Sequence, residues 1–221
     1  MVVRSFLILQ LNTSKLLLIL LICLFSSFSS AQEEKKIEFL YNGFQLNKLS
    51  RSNFYFKELD YAFDIYAFKF QKFYKLRDLG KWEFITVPQV QFQYIEHQLL
   101  NKFFVQDFNY GENFLEFRNR YIQPKNFSFY AFEIGFMLRR AVFLNYSFEF
   151  NAGLGAGYID YTTERLARGF TFLENLSFGL SRPLRSNEIY IGFLFNHISN
   201  FNTSDPNSGY NSLGWELGYR F

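Results

Sequence analysis

Large apolar residues fall on every second position along much of this chain. Leu213, Trp215, Leu217, Tyr219 and Phe221 alternate with Ser212, Gly214, Glu216, Gly218 and Arg220. Leu144, Tyr146, Phe148, Phe150, Ala152, Leu154, Ala156 and Tyr158 alternate with Asn145, Ser147, Glu149, Asn151, Gly153, Gly155 and Gly157. The period recurs at Tyr130, Phe132, Ile134, Phe136 and Leu138, and at Val90, Phe92 and Tyr94 opposite Gln89, Gln91 and Gln93. A period of two marks β-strands, whose successive side chains point to opposite faces. In a soluble sandwich the apolar faces would meet in one core and the other faces would be mainly polar and solvated. Here the second face mixes glycine, amide and isolated charge. That is the pattern of a small barrel, apolar outward to lipid and polar inward.

Counting back from the C-terminus predicts strands near 211–221, 188–199, 168–181, 144–160, 127–138, 82–95, 54–70 and 36–46. The expectation is an all-β fold, an eight-stranded antiparallel transmembrane β-barrel, and an even count is what single-chain bacterial barrels require. The short connections at 139–143, 182–187 and 74–81 suit periplasmic turns. Those at 47–53, 96–126, 161–167 and 200–210 then lie outside. The segment 96–126 is long enough to extend its neighbouring strands or to add a lid. A barrel of eight strands is filled by its own side chains, so no diffusion pore is expected.

Composition supports this picture. The 221 residues include 32 Phe, 15 Tyr and 2 Trp, together 22% of the chain, yet the mean hydropathy is only −0.08. Apolar residues must therefore be interleaved with polar ones, which excludes a bundle of transmembrane helices, each needing about 20 mostly apolar residues. So aromatic a chain is not a disordered one. A formal net charge of +3 gives no footprint for nucleic acid, and two histidines with one cysteine cannot make an all-His/Cys zinc site.

The first thirty residues differ in kind. Arg4 and Lys15 precede the apolar run Leu16 to Phe25, followed by Ser26, Ser27, Phe28, Ser29, Ser30 and Ala31, with no Asp or Glu. This reads as a secretory signal peptide over 1–31, cleaved before Gln32, because the apolar run is too short to span a bilayer. Cys23 leaves with it, so the barrel 32–221 carries no cysteine.

Several candidate signals have plainer readings. Gly153-Leu-Gly-Ala-Gly157 is a glycine run inside a strand, whereas a nucleotide loop must open a helix; inward glycines make room in a narrow lumen. His97 stands alone near a strand end and reads as a solvated loop histidine. The inward charges Glu133, Glu149, Glu216, Arg139 and Arg220 are expected to pair with one another.

One hairpin carries more. His197-Ile-Ser199-Asn200 ends one strand, a loop contains Asp205-Pro-Asn-Ser-Gly209, and Asn211 begins the last strand. His197 and Ser199 share a face with Ile189, Ile191, Phe193 and Phe195, while Asn211 belongs to the series with Leu213, Trp215 and Leu217. All three polar groups thus point outward. A same-face residue on the neighbouring antiparallel strand is about 5 Å away at Cβ, so Asn211 reaches His197 if the register is right. Unpaired polar groups on the apolar face of a barrel cost free energy, which favours a functional reading. The chemistry would need Ser199 as nucleophile, His197 as base and a third group fixing the tautomer. Asn200, or a backbone N–H of the following loop, would serve the oxyanion.

The stretch His197-Ile-Ser199-Asn200, then Pro206-Asn207-Ser-Gly209-Tyr-Asn211 and a terminal aromatic strand, resembles the outer-membrane lipid A 3-O-deacylase (acyloxyacyl hydrolase) family. The resemblance is specific over 188–221 and architectural before that. It implies an eight-stranded barrel with a serine-hydrolase site on its outer wall, acting on an ester-linked acyl chain of lipid A in the outer leaflet. It implies His197 as base, Ser199 as nucleophile, Asn200 as oxyanion donor and Asn211 in the place of the third triad member. Two positions depart from the family pattern: Phe201-Asn202 stand where it has Ala-Gly, and Asn211 where it has glutamate. The His-x-Ser-Asn pattern with a following Asn is also similar to outer-membrane phospholipase A, a twelve-stranded, calcium-using barrel for which this chain is short. A non-catalytic adhesive or structural barrel is the third reading. Under the first, Ile191, Phe193, Phe195 and Trp215 line the acyl chain, and neither cofactor nor metal takes part. Phe221 resembles the C-terminal signature of bacterial outer-membrane barrels, which implies recognition by the barrel-assembly machinery.

Overall fold

The computed structural model describes residues 37–51 and 59–221. The expected signal peptide and the first positions of the strand expected at 54–70 lie outside the described residues. Eight antiparallel strands close into a barrel in chain order: β1 Glu38–Arg51, β2 Tyr61–Leu79, β3 Trp82–Leu99, β4 Lys125–Phe143, β5 Tyr146–Ile159, β6 Gly169–Leu184, β7 Asn187–Ser199 and β8 Tyr210–Arg220. β8 pairs with β1 to complete the ring, and beyond it Phe221 and Asn42 exchange both backbone hydrogen bonds at 2.9 and 3.0 Å. Full closure leaves no strand edge, which is what a lipid environment demands of a sheet.

The strands run further than the alternation alone marked. β2 extends to Leu79, so the 74–81 connection shrinks to a two-residue turn at Gly80-Lys81. The turns after β4 and β6 are equally tight, at Leu144-Asn145 and Arg185-Ser186. Gly80, Leu144, Asn145 and Arg185 all have positive φ, the geometry that lets a two-residue hairpin follow the twist of its strands. These turns share the end of the barrel opposite the long loops, the usual periplasmic end.

The two faces separate as the pattern required. Phe44, Leu46, Phe68, Phe92, Phe132, Phe178, Ile191 and Trp215 are exposed on the outer wall, while Gln45, Lys69, Gln91, Glu133, Asn175 and Glu216 are buried in the lumen. Of the five inward charges, Arg220 and Glu149 pair with each other, Glu216 and Arg139 find other partners, and Glu133 has no ion pair among the described residues. Arg220 binds Glu149 at 2.6 Å, Lys69 meets Glu216 at 3.4 Å, and Arg139 reaches Glu83 at 2.6 Å. Glu133 accepts from Gln91 at 2.8 Å and Asn175 at 2.6 Å. A Cβ on Gly153 would lie 1.9 Å from Glu133 Oε1, so Gly153 leaves the space that the carboxylate occupies, and Gly157 leaves room in the same way for the Phe129 ring.

Towards the extracellular end the filling becomes apolar, with Leu49, Tyr61, Phe63, Ile65, Ile95, Phe127, Phe129, Leu173, Leu194, Ile198 and Tyr210 in one cluster. The 96–126 segment extends its neighbouring strands, the first of the two expectations for it. β3 and β4 lengthen into it, and short helical turns lead to a helix at Phe114–Tyr121. Leu99, Val105 and Tyr121 form a small core there, flanked by Phe104, Tyr110, Phe114 and Phe117.

Candidate active site

β7 ends at the extracellular rim with His197 and Ser199 outward and Asn196, Ile198 and Asn200 inward and buried. The β7–β8 register places His197 directly opposite Asn211. Their side chains meet, with 2.7 Å between His197 Nδ1 and Asn211 Oδ1. An amide oxygen can only accept, so Nδ1 carries the hydrogen and Nε2 is left as the acceptor, the tautomer a general base requires. Asn211 is nearly buried at 7% exposure, although it stands on the outward series.

Gly209 closes the site from the loop side. It has a φ of +66°, and a Cβ there would come within 2.8 Å of the Ile198 carbonyl oxygen, 3.3 Å of His197 Cε1 and 3.5 Å of Ser199 Cβ. The glycine therefore stands beside His197 and Ser199 where a side chain would crowd the Ile198 carbonyl and the His197 ring. Nothing next to Gly209 in the sequence marks it for this place.

Asn200 does not present its side chain to the outer face. It is fully buried, and its Nδ2 donates to Ser204 O at 2.7 Å and Ser204 Oγ at 3.0 Å. Its even position turns the amide inward, where it ties the 200–209 loop instead of facing a substrate. Asn207 Oδ1 accepts the Asn200 N–H, and Asn200 Oδ1 accepts the Asn202 N–H. Thr203 N–H donates to Asn200 O. Among the described residues the Phe201 N–H has no such partner. Asn202, standing where the resembled pattern has glycine, adopts the left-handed conformation at φ 60°, which asparagine tolerates better than most side chains.

The 161–167 connection folds into the mouth of the barrel as a plug, with Thr163, Glu164, Arg165, Leu166 and Ala167 all buried. Arg165 Nε donates to Gly209 O at 2.9 Å, and Arg165 O accepts from Ser208 N at 2.7 Å. Glu164 is the partner of His97, whose Nε2 lies 2.8 Å from its carboxylate. His97 is thus not a solvated loop residue: it sits inside β3, 3% exposed, ringed by Tyr61, Phe63, Phe127 and Tyr210. Its acid comes from 67 residues away. Tyr110 ties the helical segment to the same plug by donating to Glu164 O at 2.8 Å, and burial pushes its phenol well above the usual range, so the donor stays protonated.

Below the site runs an apolar strip. Phe193 pairs with Trp215, ring centroids 3.7 Å apart, and Phe195 pairs with Leu213 and Ile191 with Leu217. The site thus sits at the head of a lipid-facing aromatic surface.

A family model described as "Lipid A 3-O-deacylase (PagL)" matches residues 90–220, more than half of the chain and all of the site. The chain belongs to the lipid A 3-O-deacylase family. A crystal structure of the outer-membrane enzyme PagL is similar, with a TM-score of 0.53 and 14% identity, covering 80% of this chain and 98% of that one. The backbone structure of the Yersinia pestis outer membrane protein Ail, in a phospholipid bilayer nanodisc, gives a TM-score of 0.36 and 11% identity over 82% of this chain and 99% of that one. No curated protein matches in sequence. Family and fold make this an outer-membrane barrel of a family of ester hydrolases.

Proposed function

We propose that this protein removes an ester-linked fatty acyl chain from lipid A in the outer leaflet, with Ser199 as nucleophile, His197 as base and Asn211 as the group that orients it. One observation carries the reading: His197 and Asn211 are hydrogen-bonded on the lipid-facing wall, beside an outward Ser199, within the span that matches the deacylase family. Ser199 Oγ attacks the acyl carbonyl and its proton passes to His197 Nε2. The tetrahedral intermediate collapses by breaking the ester C–O bond, and the proton goes to the departing sugar oxygen. Water, deprotonated by the same imidazole, then hydrolyses the acyl-enzyme. With Asn200 committed to its loop, the oxyanion falls to the Phe201 N–H, the backbone option of the sequence reading. The acyl chain lies along Ile191, Phe193, Phe195 and Trp215.

The test is incubation of the detergent-purified barrel with lipid A and, separately, with phospholipid, each with and without a calcium chelator. Fatty acid released from lipid A, insensitive to the chelator and abolished in Ser199→Ala, is the expected result. Release from phospholipid alone, lost with the chelator, would assign a phospholipase. A folded barrel with no release from either would be a structural protein.

A further inference from the structure

Asn211 explains how His197 is oriented but not how its charge is met. When Ser199 gives up its proton, the imidazole becomes a cation on an apolar wall, and a neutral amide cannot offset that charge. The β6–β7 register puts Glu174 directly opposite His197, on the side away from Asn211. Glu174, His197 and Asn211 therefore form one row across β6, β7 and β8 on the outer face, with same-face Cβ atoms of neighbouring strands about 5 Å apart.

The surroundings of Glu174 are apolar except on that side. Its outward neighbours along β6 are Phe172 and Leu176, and its partner on β5 is Leu154. On β7 it faces His197, with Phe195 and Ser199 on the diagonals. Elsewhere on the outer wall Lys48 and Asp64 pair with each other at 3.2 Å. Glu174 has no ion pair among the described residues, so the side chain that adjoins it with any capacity for positive charge is His197.

We propose that Glu174 is a positioning residue of this active site: its carboxylate supplies, from β6, the negative charge that Asn211 cannot supply from β8, and stabilises the His197 imidazolium formed during acyl transfer. The inference rests on the proposed reaction. It assigns the triad's two tasks to two residues on opposite sides of the base, orientation to Asn211 and charge to Glu174. Glu174 itself does not contact the ester.

The experiment compares kcat and KM for lipid A in Glu174→Gln, Asn211→Glu and the double variant, with heat-modifiable migration as the check of folding. Glu174→Gln should lower kcat about tenfold to a hundredfold with KM little changed, the size expected for losing an opposite charge about 6 Å away in a partly screened site. The double variant should regain most of that loss, because the carboxylate returns on the other side of the same imidazole. Glu174→Leu, which suits a lipid-facing position, should fall as far as Glu174→Gln and covers the case in which the amide does not assemble. Wild-type kcat in the folded variants, a change confined to KM, or no rescue by Asn211→Glu would each overturn the inference. Ser199→Ala separates the two levels. If it is inactive while Glu174→Gln is normal, the reaction stands and the role of Glu174 falls; if it retains turnover, the proposed reaction itself falls.

Discussion

Arg165 and Gly209 are joined by a 2.9 Å hydrogen bond from the guanidinium Nε to the glycine carbonyl, linking the plug in the barrel mouth to the loop beside His197 and Ser199. The bond matters because Gly209 lies where any side chain would crowd the Ile198 carbonyl and the His197 ring. Loops carry catalytic geometry well only when a rigid scaffold holds them. Here the scaffold is a buried arginine over the rings of Tyr61 and Phe104.

Gly209→Ala should therefore be nearly inactive yet assembled. A left-handed alanine costs about 1–2 kcal/mol, and its methyl would stand 2.8 Å from Ile198 O and 3.3 Å from His197 Cε1, displacing His197 from its place beside Ser199. A loss of about a hundredfold in kcat, with normal heat-modifiable migration, is the expected pair of results, since small misplacements of a catalytic group carry penalties of that size. Full activity would show that the loop moves aside during turnover.

Asn211→Ala should lower turnover by less than Ser199→Ala, because the orienting member of a triad is usually less costly to lose than the nucleophile. About a hundredfold is expected, with assembly intact. Asn211→Glu restores the carboxylate of the family pattern and should remain active. Wild-type turnover in Asn211→Ala would move the orienting role elsewhere, with Asp205 the next residue to test.

The outer wall of the barrel was legible from period two alone, because lipid and lumen impose opposite demands on alternate residues. The His197–Asn211 contact was legible as a condition on register, and the hairpin meets it. What escaped the sequence came from contacts between distant segments. His97 reads as solvated because nothing near it in the chain shows that Glu164 will fold into the barrel mouth and bury it. Asn200 reads as an oxyanion donor because it follows Ser199, yet the same alternation that placed Ser199 outward turns Asn200 inward. Glu174 is one carboxylate among 20 acidic residues until the β6–β7 register sets it beside His197.

The His97–Glu164 pair should anchor the plug. Both side chains are fully buried, and removing Glu164 leaves the His97 ring without its hydrogen-bond partner at a cost of about 1–3 kcal/mol. Glu164→Ala is thus expected to unfold at lower denaturant concentration and to lose activity through the Arg165–Gly209 link. The double variant His97→Leu/Glu164→Leu should recover much of the stability. Equal stability of Glu164→Ala and the wild type would show that the plug is held by Arg165 and Tyr110 without this pair.

Processing and assembly test the two ends of the chain. N-terminal sequencing of outer-membrane protein should begin at Gln32, and a start at Met1 would contradict a cleaved signal. Phe221 exchanges backbone bonds with Asn42 and lies against Phe44 and Tyr219, so deleting it removes part of the closing seam as well as the terminal aromatic. The truncated chain should insert poorly while each folded molecule keeps its turnover. Normal insertion would count against recognition of Phe221 by the assembly machinery.

The apolar strip below the site makes the final prediction. Trp215 is 56% exposed and packed close against Phe193 with the rings tilted, two strand positions below Leu213 and on the same outward series as Asn211. An acyl chain held there is bound equally in the ground and transition states, and such uniform binding lowers KM without raising kcat. Burying a large side chain against hydrocarbon contributes about 1.5–3 kcal/mol when burial is complete, so a partial contact at Trp215 corresponds to roughly tenfold in affinity. Trp215→Ala should then raise KM for lipid A about tenfold, leave kcat within about twofold, and matter progressively less as the acyl chain is shortened. A fall in kcat at unchanged KM, independent of chain length, would mean that Trp215 supports the β7–β8 hairpin and not the substrate.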